Sequence, residues 1–350
     1  MAGTHRPLER IDYYARNIVR DVAPQFLFRN RLERILSRAA EYDAADIRAR
    51  LAYCNKLSEP SSPEALPYTV GSIPMDQSYY YYDLKEHARY FPRRLRLDCA
   101  FGDIRVVPDR PSFLKSRPVG ADNANAVLMK LDRLRHFHLP ADPVSFADKK
   151  PMAVWRGGGH NPKRAALIRR YAGHPLCDVG QTGVSAEFGR ARFMTPAKQM
   201  RYRYIISIEG NDVATNLKWI MASNSLCLMP EPRFETWFME GRLRGGTHYV
   251  RLADDFADLE DRIVHYERHP DAAREIVQNA NTWVAQFMDA CREGVVSLLV
   301  MYKYFVMTGQ LRSAPAVADL MQPAPAPSEV PSRGDSEEHD GAIRARIDPR

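Results

Sequence analysis

The sequence predicts an α/β protein, and the order of patterns after residue 150 is the main reason. Strand-like segments (MAVWRG, YRYIISIEG, SLCLMP) alternate with helix-like segments (PKRAALIRRYA, ATNLKWIMAS), which is the pattern of a parallel sheet. A composition of 45% hydrophobic and 27% charged residues is that of a globular protein and excludes disorder over the whole length. The length of 350 residues predicts two domains with a cleft between them.

The first domain is predicted to span residues 1–150. Residues 8–53 carry apolar residues at helical spacing and indicate amphipathic helices on the outside of this domain. The runs LRLDCAFGDIRVVP and PSFLKSRPV predict strands that lead into loops, and ANAVLMKLDRLRHF predicts a helix. The polar, proline-containing connector ADPVSFADKKP then ends the domain.

The second domain is predicted to span residues 151–312, and its last helix, through VVSLLVMYKYFV, is free to cross back to the first domain. Residues 313–350 hold six of the chain's 25 prolines and show no periodicity. Such a segment buries too little apolar surface to fold, so we expect a disordered tail.

The charge is uneven along the chain. The formal net charge is +7, but residues 313–350 carry four Arg against seven acids, which leaves the folded body more basic. A basic body favours phosphate-bearing partners or an anionic membrane surface, although a solvated basic surface explains it equally well. The Arg excess within residues 8–53 is open to the same two interpretations, and aromatics in the basic stretches are too few for a nucleic-acid stacking platform.

Five widely spaced cysteines without a Cys-x-x-Cys pair indicate neither a disulfide framework nor a zinc knuckle, so a reducing compartment is expected. The first residues lack the apolar core of a signal peptide, and the longest apolar stretch is interrupted by Lys303. A cytoplasmic location is therefore predicted.

Two loops at predicted strand ends are candidates for a phosphate site. VWRGGGHNPKRAAL places a glycine triplet between a strand and a helix, where backbone N–H groups can approach a phosphate. SIEGNDVATNLKW repeats the arrangement at the next strand. An ordinary tight turn and an ordinary helix cap are the alternatives, because neither loop has a Walker or dinucleotide pattern.

The order WRGGG…PKR, YRYIISIEGNDVATNLKW, MASNSLCLMPEPRFETWF and HYVRL resembles glycosyltransferase family 90. The upstream run FGDIRVVPDRPSFLKSRPV…RHF resembles the bacterial branch of that family, which modifies lipopolysaccharide; animal members are protein O-glucosyl- and xylosyltransferases. The resemblance implies a GT-B fold, with two Rossmann-like domains facing across a cleft. It also implies inverting transfer from a UDP-sugar, with the donor on residues 151–312, the acceptor on residues 1–150, and no metal or other cofactor. The absence of an Asp-x-Asp motif from the body of the chain is consistent with that expectation.

The same resemblance assigns donor-binding residues. Diphosphate contacts are implied for the first loop, and Arg164 is the preferred clamp; the second loop forms the other wall. Glu235 falls where many GT-B enzymes have a carboxylate near the donor sugar or ribose, although a helix-capping acid is the alternative. The full set is Gly157, Gly158, Arg164, Asn211, Asp212, Val213, Ala214, Asn216, Lys218 and Glu235.

An inverting transfer needs a base for the proton of the acceptor hydroxyl. The resemblance implies Asp103, with Asp109 and then Asp98 as alternatives in the same proline-rich stretch. Lys115 and Arg117 follow and are candidates for contact with acceptor phosphate or donor diphosphate, or form a surface basic cluster.

The sequence therefore predicts a transferase that moves a sugar from a UDP-sugar to a saccharide, such as lipopolysaccharide core or another surface polysaccharide. If the acceptor is lipid-linked, we expect the enzyme to be peripheral on the inner face of the cytoplasmic membrane. The alternatives are a protein O-glycosyltransferase and a non-catalytic module that binds a nucleotide or an anionic glycan. A nucleic-acid partner is not expected.

Overall fold

A computed structural model describes residues 7–159, 161–183 and 187–321 of the chain. These residues form a mixed α/β structure, which confirms the predicted class. The strands of the described residues are β1 Tyr68–Thr69, β2 Arg96–Leu97, β3 Ser112–Leu114, β4 Ser116–Pro118, β5 Ala126–Leu128, β6 Lys150–Gly157, β7 Cys177–Gln181, β8 Tyr202–Ile206, β9 Leu226–Met229, β10 Phe234–Thr236 and β11 Val250–Arg251.

Helices surround these strands, and three single 3₁₀ turns (Arg38–Glu41, Pro63–Ala65, Glu240–Arg242) complete the regular structure of the described residues. The helices are α1 Pro7–Val22, α2 Phe26–Arg29, α3 Leu32–Ser37, α4 Ala44–Cys54, α5 Ser78–Ala88, α6 Arg133–His136, α7 Pro162–Tyr171, α8 Pro196–Gln199, α9 Leu217–Met221, α10 Leu259–Arg268, α11 Pro270–Ala285, α12 Ala290–Met307 and α13 Pro315–Met321. No helix among the described residues is both long and apolar enough to cross a bilayer.

The second half of the chain carries the predicted parallel sheet. Its five strands lie in the order β11-β9-β8-β6-β7, and every pair is parallel. The central strands are almost continuously buried, as expected for a sheet covered on both faces. One hydrophobic core of the protein lies on this sheet and includes Trp155, Tyr204 and Leu228.

The first half is built differently from the expected second Rossmann-like domain. Within the described residues its strands are two or three residues long and form two-stranded sheets. β3 and β5 are parallel, and a bridge from Cys99 to Phe113 continues this layer on the other side of β3. Pro111 and Pro118 bracket β3 and β4 and limit their length, since proline cannot donate to a strand ladder.

The two halves are joined by pairing and by packing. β4 of the first half pairs antiparallel with β10 of the second, with Arg117 opposite Glu235. The long helix α12 packs against α4 and α5, and the larger hydrophobic core combines Leu51 and Phe113 with Trp237 and Leu299. The predicted boundary at residue 150 coincides with the first residue of β6 but does not separate two independent cores.

Two sequence predictions are wrong in detail. The expected helix ANAVLMKLDRLRHF is the buried strand β5, a turn and the single-turn helix α6, because a short apolar run does not distinguish a buried strand from a buried helix. The expected disorder from Ser313 is contradicted by α13, whose buried Val317 packs in the core beside α4. Residues 322–350 of the predicted tail lie outside the described residues.

Candidate active site

Charged side chains from both halves of the chain meet where parallel strands end. Lys115 directly follows β3, and Asp212 lies in the loop after β8. The Nζ atom of Lys115 is 2.7 Å from Oδ2 of Asp212 and 2.8 Å from Oδ1 of Asp103. Three of the predicted site residues, far apart in sequence, are therefore brought into one cluster.

The ammonium of Lys115 is the centre of this cluster. The residue is 2% exposed, and burial alone would lower its pKa. The charge of Asp212 and the neighbouring Tyr80, together with hydrogen bonds to Asp103 and Asp212, outweigh burial and raise the pKa of Lys115 above its ordinary value. The hydroxyl of Ser116 also donates to Oδ2 of Asp212 at 2.6 Å. Lys115 is thus a permanent cation held between two carboxylates.

Asp103 is the exposed member of the cluster, with 35% of its side chain accessible. Partial burial raises its pKa, but the hydrogen bond and charge of Lys115 and a hydrogen bond from Nδ2 of Asn211 at 3.3 Å lower it further than burial raises it. Asp103 is therefore an ionised carboxylate open to solvent. Of the alternatives, Asp109 is exposed outside the cluster, and Asp98 is bound to Arg110 and Ser112.

Asp132 is a fourth charged residue of the cluster, and the sequence analysis missed it. It has a left-handed backbone, with φ of 55°, at the start of α6. Burial, reinforced by the negative charges of Asp103 and Asp212 and opposed by Arg135 and Lys115, raises the pKa of Asp132 to about 6. Its Oδ2 atom makes no hydrogen bond within the described part of the chain.

His136 lies beside this carboxylate, with Nε2 3.7 Å from Oδ2 of Asp132. Burial, together with the positive charges of Lys218, Lys115 and Arg135, lowers the pKa of His136 well below its ordinary value, so the ring is neutral. Its Nδ1 atom also lacks a hydrogen-bond partner among the described residues. The sequence signal for both residues is the polar run DRLRH directly after a short apolar segment.

The glycine-rich loop follows β6 and requires glycine for steric reasons. A Cβ atom on Gly157 would lie 2.6 Å from the Trp155 ring, and one on Gly159 would lie 2.7 Å from Oε1 of Gln181. Gly158 lies between them. Asn161 then caps α7 by accepting from N–H of Lys163 at 3.0 Å. The loop therefore delivers the positive end of a ten-residue helix to the edge of the sheet.

The first and second loops are held together by two side chains. Nδ2 of Asn161 donates to the carbonyl of Gly210 at 2.9 Å, and Nη2 of Arg164 donates to the carbonyl of Ile208 at 3.0 Å. Within the described residues no carboxylate pairs with Arg164, and its Nε atom has no hydrogen-bond partner. Burial lowers the pKa of Arg164. The result is a partly buried cation that is fixed beside both loops and that no acid of the described ranges neutralises.

The remaining residues of the second loop support its shape. Val213 and Ala214 are buried, and Asn216 donates to the carbonyl of Ile206 at 3.1 Å while accepting from Ser207 at 3.1 Å. These residues position Asn211 and Asp212.

Lys218 does not reach the loops, contrary to the expectation that it contacts a diphosphate. It is fully buried between Phe137 and Phe238, and its Nζ atom lies 2.9 Å from Oε1 of Glu240. A lysine without exposed surface that already has a carboxylate partner stabilises the interior, so the structure does not place Lys218 among the groups that line the two loops.

Arg117 and Glu235 are likewise paired with each other. Nε of Arg117 lies 2.6 Å from Oε1 of Glu235, and the guanidinium also donates to the carbonyls of Ala126 and Tyr53. Tyr53 donates its hydroxyl to Glu235. Both charged residues are buried across the β4–β10 pair and join the two strands; the ligand contacts predicted for them remain predictions.

A cavity of about 700 Å³ lies at the carboxyl ends of β9 and β11. Salt bridges to Asp254, which lines it, come from Lys163 of α7 at 3.0 Å and from Arg233 at 2.6 Å. Glu209 of the second loop accepts the backbone N–H of Arg233 at 2.9 Å. Two residues that line the cavity are therefore bonded to Lys163 at the start of α7 and to Glu209 of the second loop. Its lining is Val119, Glu231, Pro232, Arg233, Arg251, Leu252, Ala253, Asp254, Asp258 and Arg262.

The described residues contain no group of three His, Cys, Asp or Glu side chains placed to hold a metal ion. In the cluster of Asp103, Asp212 and Lys115, the ammonium of Lys115 lies between the two carboxylates and balances part of their negative charge.

Comparison with known proteins identifies relatives over most of the chain. The family model "Glycosyl transferase family 90" matches residues 126–312. The chain is 48% identical over 308 residues to "O-glucosyltransferase LpsA" of Dichelobacter nodosus, covering 86% of this chain and 96% of that protein.

Animal proteins are more distant. "Protein O-glucosyltransferase 3" of Rattus norvegicus is 25% identical over 196 residues, and that of Homo sapiens is 24% identical over 193 residues. These matches cover 54% and 53% of this chain but only 38% and 37% of the animal proteins.

Proposed function

The chain belongs to glycosyltransferase family 90 and is a glycosyltransferase, and from this premise we propose that it transfers glucose from UDP-glucose to a hydroxyl group of a glycan. The proposal includes inversion at the anomeric carbon and no requirement for a metal. Glucose is chosen because the relative that matches 86% of the chain is named an O-glucosyltransferase. The observation that carries the donor assignment is Arg164, a fixed cation where the two loops meet, with no carboxylate partner among the described residues.

The donor is proposed to lie along the carboxyl edge of the parallel sheet. The diphosphate would lie against the backbone of Gly157 and Gly158, the N-terminus of α7 and the guanidinium of Arg164. The cavity beyond Glu209 and Asp254 would hold the nucleoside. These groups stabilise the negative charge that develops on the departing UDP, without a metal.

Asp103 is proposed as the general base. Its ionised, exposed carboxylate takes the proton of the acceptor hydroxyl while the acceptor oxygen bonds to the anomeric carbon. The bond from that carbon to the diphosphate oxygen breaks, and UDP leaves on the opposite face. Lys115 keeps Asp103 ionised, although a low pKa also makes Asp103 a weaker base.

A GT-B-type arrangement, in which the acceptor meets Asp103 on residues 1–150 and the donor meets residues 151–312, remains part of the proposal. The parallel sheet of the second half supports it, whereas the short two-stranded sheets of the first half do not. Lipopolysaccharide core or another surface polysaccharide is the proposed acceptor, in a lipid-linked form, with the enzyme on the inner face of the cytoplasmic membrane. Protein O-glycosylation is the second candidate, and its support is the resemblance to the animal proteins over little more than a third of their length.

The test is release of UDP from a panel of UDP-glucose, UDP-galactose and UDP-xylose in EDTA, with and without deacylated lipopolysaccharide core. We expect UDP-glucose to be consumed preferentially, Arg164→Ala to raise the donor KM, and Asp103→Asn to lower kcat by about 10²–10⁴-fold. Asp109→Asn is the matched control and should retain activity. Equal loss in both Asp variants would reject Asp103 as the base.

Two further outcomes distinguish the alternatives. Turnover that stops in EDTA would reject the metal-free mechanism. UDP binding in a thermal-shift assay, without turnover of any UDP-sugar with or without acceptor, would favour the non-catalytic binding module.

A further inference from the structure

Helix α1 directs its apolar side chains toward solvent. Leu8, Ile11, Ile18, Val19 and Val22 are between 50% and 79% exposed. At 3.6 residues per turn they fall within an arc of about 100° on one side of the helix. A surface helix ordinarily buries such a stripe, so the orientation of α1 needs an explanation.

The opposite side of α1 fixes this orientation. Tyr13 and Asn17 are buried, and the hydroxyl of Tyr13 donates to Oδ1 of Asp83 on α5 at 2.7 Å. Tyr81 of α5 donates to Oδ2 of Asp21 at 2.8 Å. Because these contacts hold the polar and aromatic side of α1 against α5, the apolar stripe cannot turn inward.

The apolar surface continues beyond α1. Phe26 and Leu27 on α2 are 59% and 43% exposed, so one short stretch of chain holds seven large exposed apolar residues. Single exposed apolar residues are normal, whereas a contiguous set marks an interaction surface.

Exposed arginines border this surface. Arg16 lies on one flank of the stripe, about 60° around the helix from Val19, and exposed Arg29, Arg31 and Arg34 follow beside Phe26 and Leu27 in the sequence. Asp12 is the ion-pair partner of Arg16 at 2.7 Å, and α1 as a whole has as many acids as arginines. The net positive charge therefore comes from residues 26–34, which carry three Arg against one acid. An apolar stripe bordered by Arg is the pattern of a helix that lies in the interface of an anionic bilayer.

We propose that α1 and α2 form a docking surface for an anionic phospholipid bilayer, with the apolar side chains in the headgroup and acyl boundary and the arginines on lipid phosphates. This deepens the proposed function, because it names the surface that would bring the enzyme to a lipid-linked acceptor. A second copy of the chain is the competing occupant, but a symmetric pairing of this surface would bring exposed Arg29, Arg31 and Arg34 of the two copies together.

The test is sedimentation of the full chain with phosphatidylcholine vesicles, with or without about one third phosphatidylglycerol. We expect binding to the anionic vesicles only, weakened by raised salt. Ile18→Asp should reduce partitioning by about tenfold or more, since it removes apolar area and adds a repelled charge. Arg29→Gln, at an exposed position beside Phe26 and Leu27, should reduce it by about fivefold.

Met288→Asp is the matched control, because Met288 is 60% exposed on the second half of the chain. It should bind vesicles as the wild type does, and both Asp variants should keep the wild-type melting temperature. Equal vesicle binding by Ile18→Asp and the wild type, or a dimer that Ile18→Asp dissociates, would overturn the proposal.

UDP release with a soluble acceptor is measured in parallel on the same variants. Vesicle binding lost with UDP release intact confirms the docking surface separately from the reaction. If the wild type binds vesicles but releases no UDP, the proposed function is rejected and the docking surface is not.

Discussion

Replacing Lys115 with Met tests the central ion cluster, because it removes the ammonium and keeps most of the side-chain volume. Asp212 would lose its cation while 3% exposed. Breaking one side of a buried ion pair costs about 3–5 kcal/mol of the free energy of unfolding. We expect the lower part of this range for two reasons. The hydroxyl of Ser116 still donates to Asp212 at 2.6 Å, and Asp103 is exposed enough for water to replace the hydrogen bond from Lys115.

The loss of unfolding free energy in Lys115→Met should be larger at neutral pH than at acid pH. The pKa of Asp103 is lower in the folded protein than its ordinary value, so its contribution to stability is present above the unfolded pKa near 4 and disappears as the pH falls through the folded pKa. Urea unfolding of wild type and Lys115→Met should therefore differ most near pH 7. The difference should narrow once Asp103 binds a proton.

The same substitution should alter the pH profile of UDP release. Without Lys115 the pKa of Asp103 rises toward its ordinary value, so the acid limb of kcat/KM should move to higher pH. Lys198→Met, at an exposed position, is the control and should change neither measurement. The double variant Lys115→Met/Asp212→Asn should recover part of the lost stability, because an amide at position 212 would leave no unpaired negative charge buried there. Strict additivity of the two substitutions, or an unmoved acid limb, would refute this interpretation of the cluster.

Three further substitutions test the surrounding structure. Gly157→Ala places a methyl group 2.6 Å from the Trp155 ring, so we expect a loss of about 1–3 kcal/mol in urea unfolding and at least a tenfold higher KM for UDP-glucose; an unchanged KM would contradict a diphosphate site there. Asp132→Asn should stabilise the fold by about 2–3 kcal/mol at pH 8, because the raised pKa of about 6 means that the charge on Asp132 opposes folding. This gain in stability should vanish below about pH 4, where the carboxyl is protonated in both states; a gain that does not depend on pH would exclude this cause. Arg117→Met should cost about 3–5 kcal/mol in thermal or urea unfolding by leaving Glu235 unpaired, with the donor KM unchanged; a selective KM effect would restore Arg117 as a ligand contact.

The sequence was most informative where chemistry and topology coincide. Strand, loop and helix alternate after residue 150, and the carboxyl ends of parallel strands must share one edge. That reasoning selects the glycine loop, Arg164 and the Asn211–Asp212 pair as candidates, and the structure brings the two loops together through Asn161. Asp103 and Lys115 also meet Asp212.

The sequence was least informative about burial. Lys218, Arg117 and Glu235 have the residue types of a phosphate or ribose site, but burial and pairing decide their role, and neither is visible in sequence spacing. Asp132 was missed for the related reason that a buried strand was interpreted as a helix. Its left-handed backbone and raised pKa depend on neighbours distant in sequence.

The pairing of β4 with β10 has a consequence for the order in which the protein folds during synthesis. Residues 116–118 must await residues 234–236, and the larger core must await Leu299 on α12, before the first half can bury its apolar side chains. The core on the parallel sheet, in contrast, draws its buried members from Phe146 to Val277. Long-range contacts form late in folding, so we expect the amides of β6 and β8 to gain protection in pulsed hydrogen exchange before those of β3 and β5. We also expect a ribosome-bound chain that ends at residue 150 to remain unfolded.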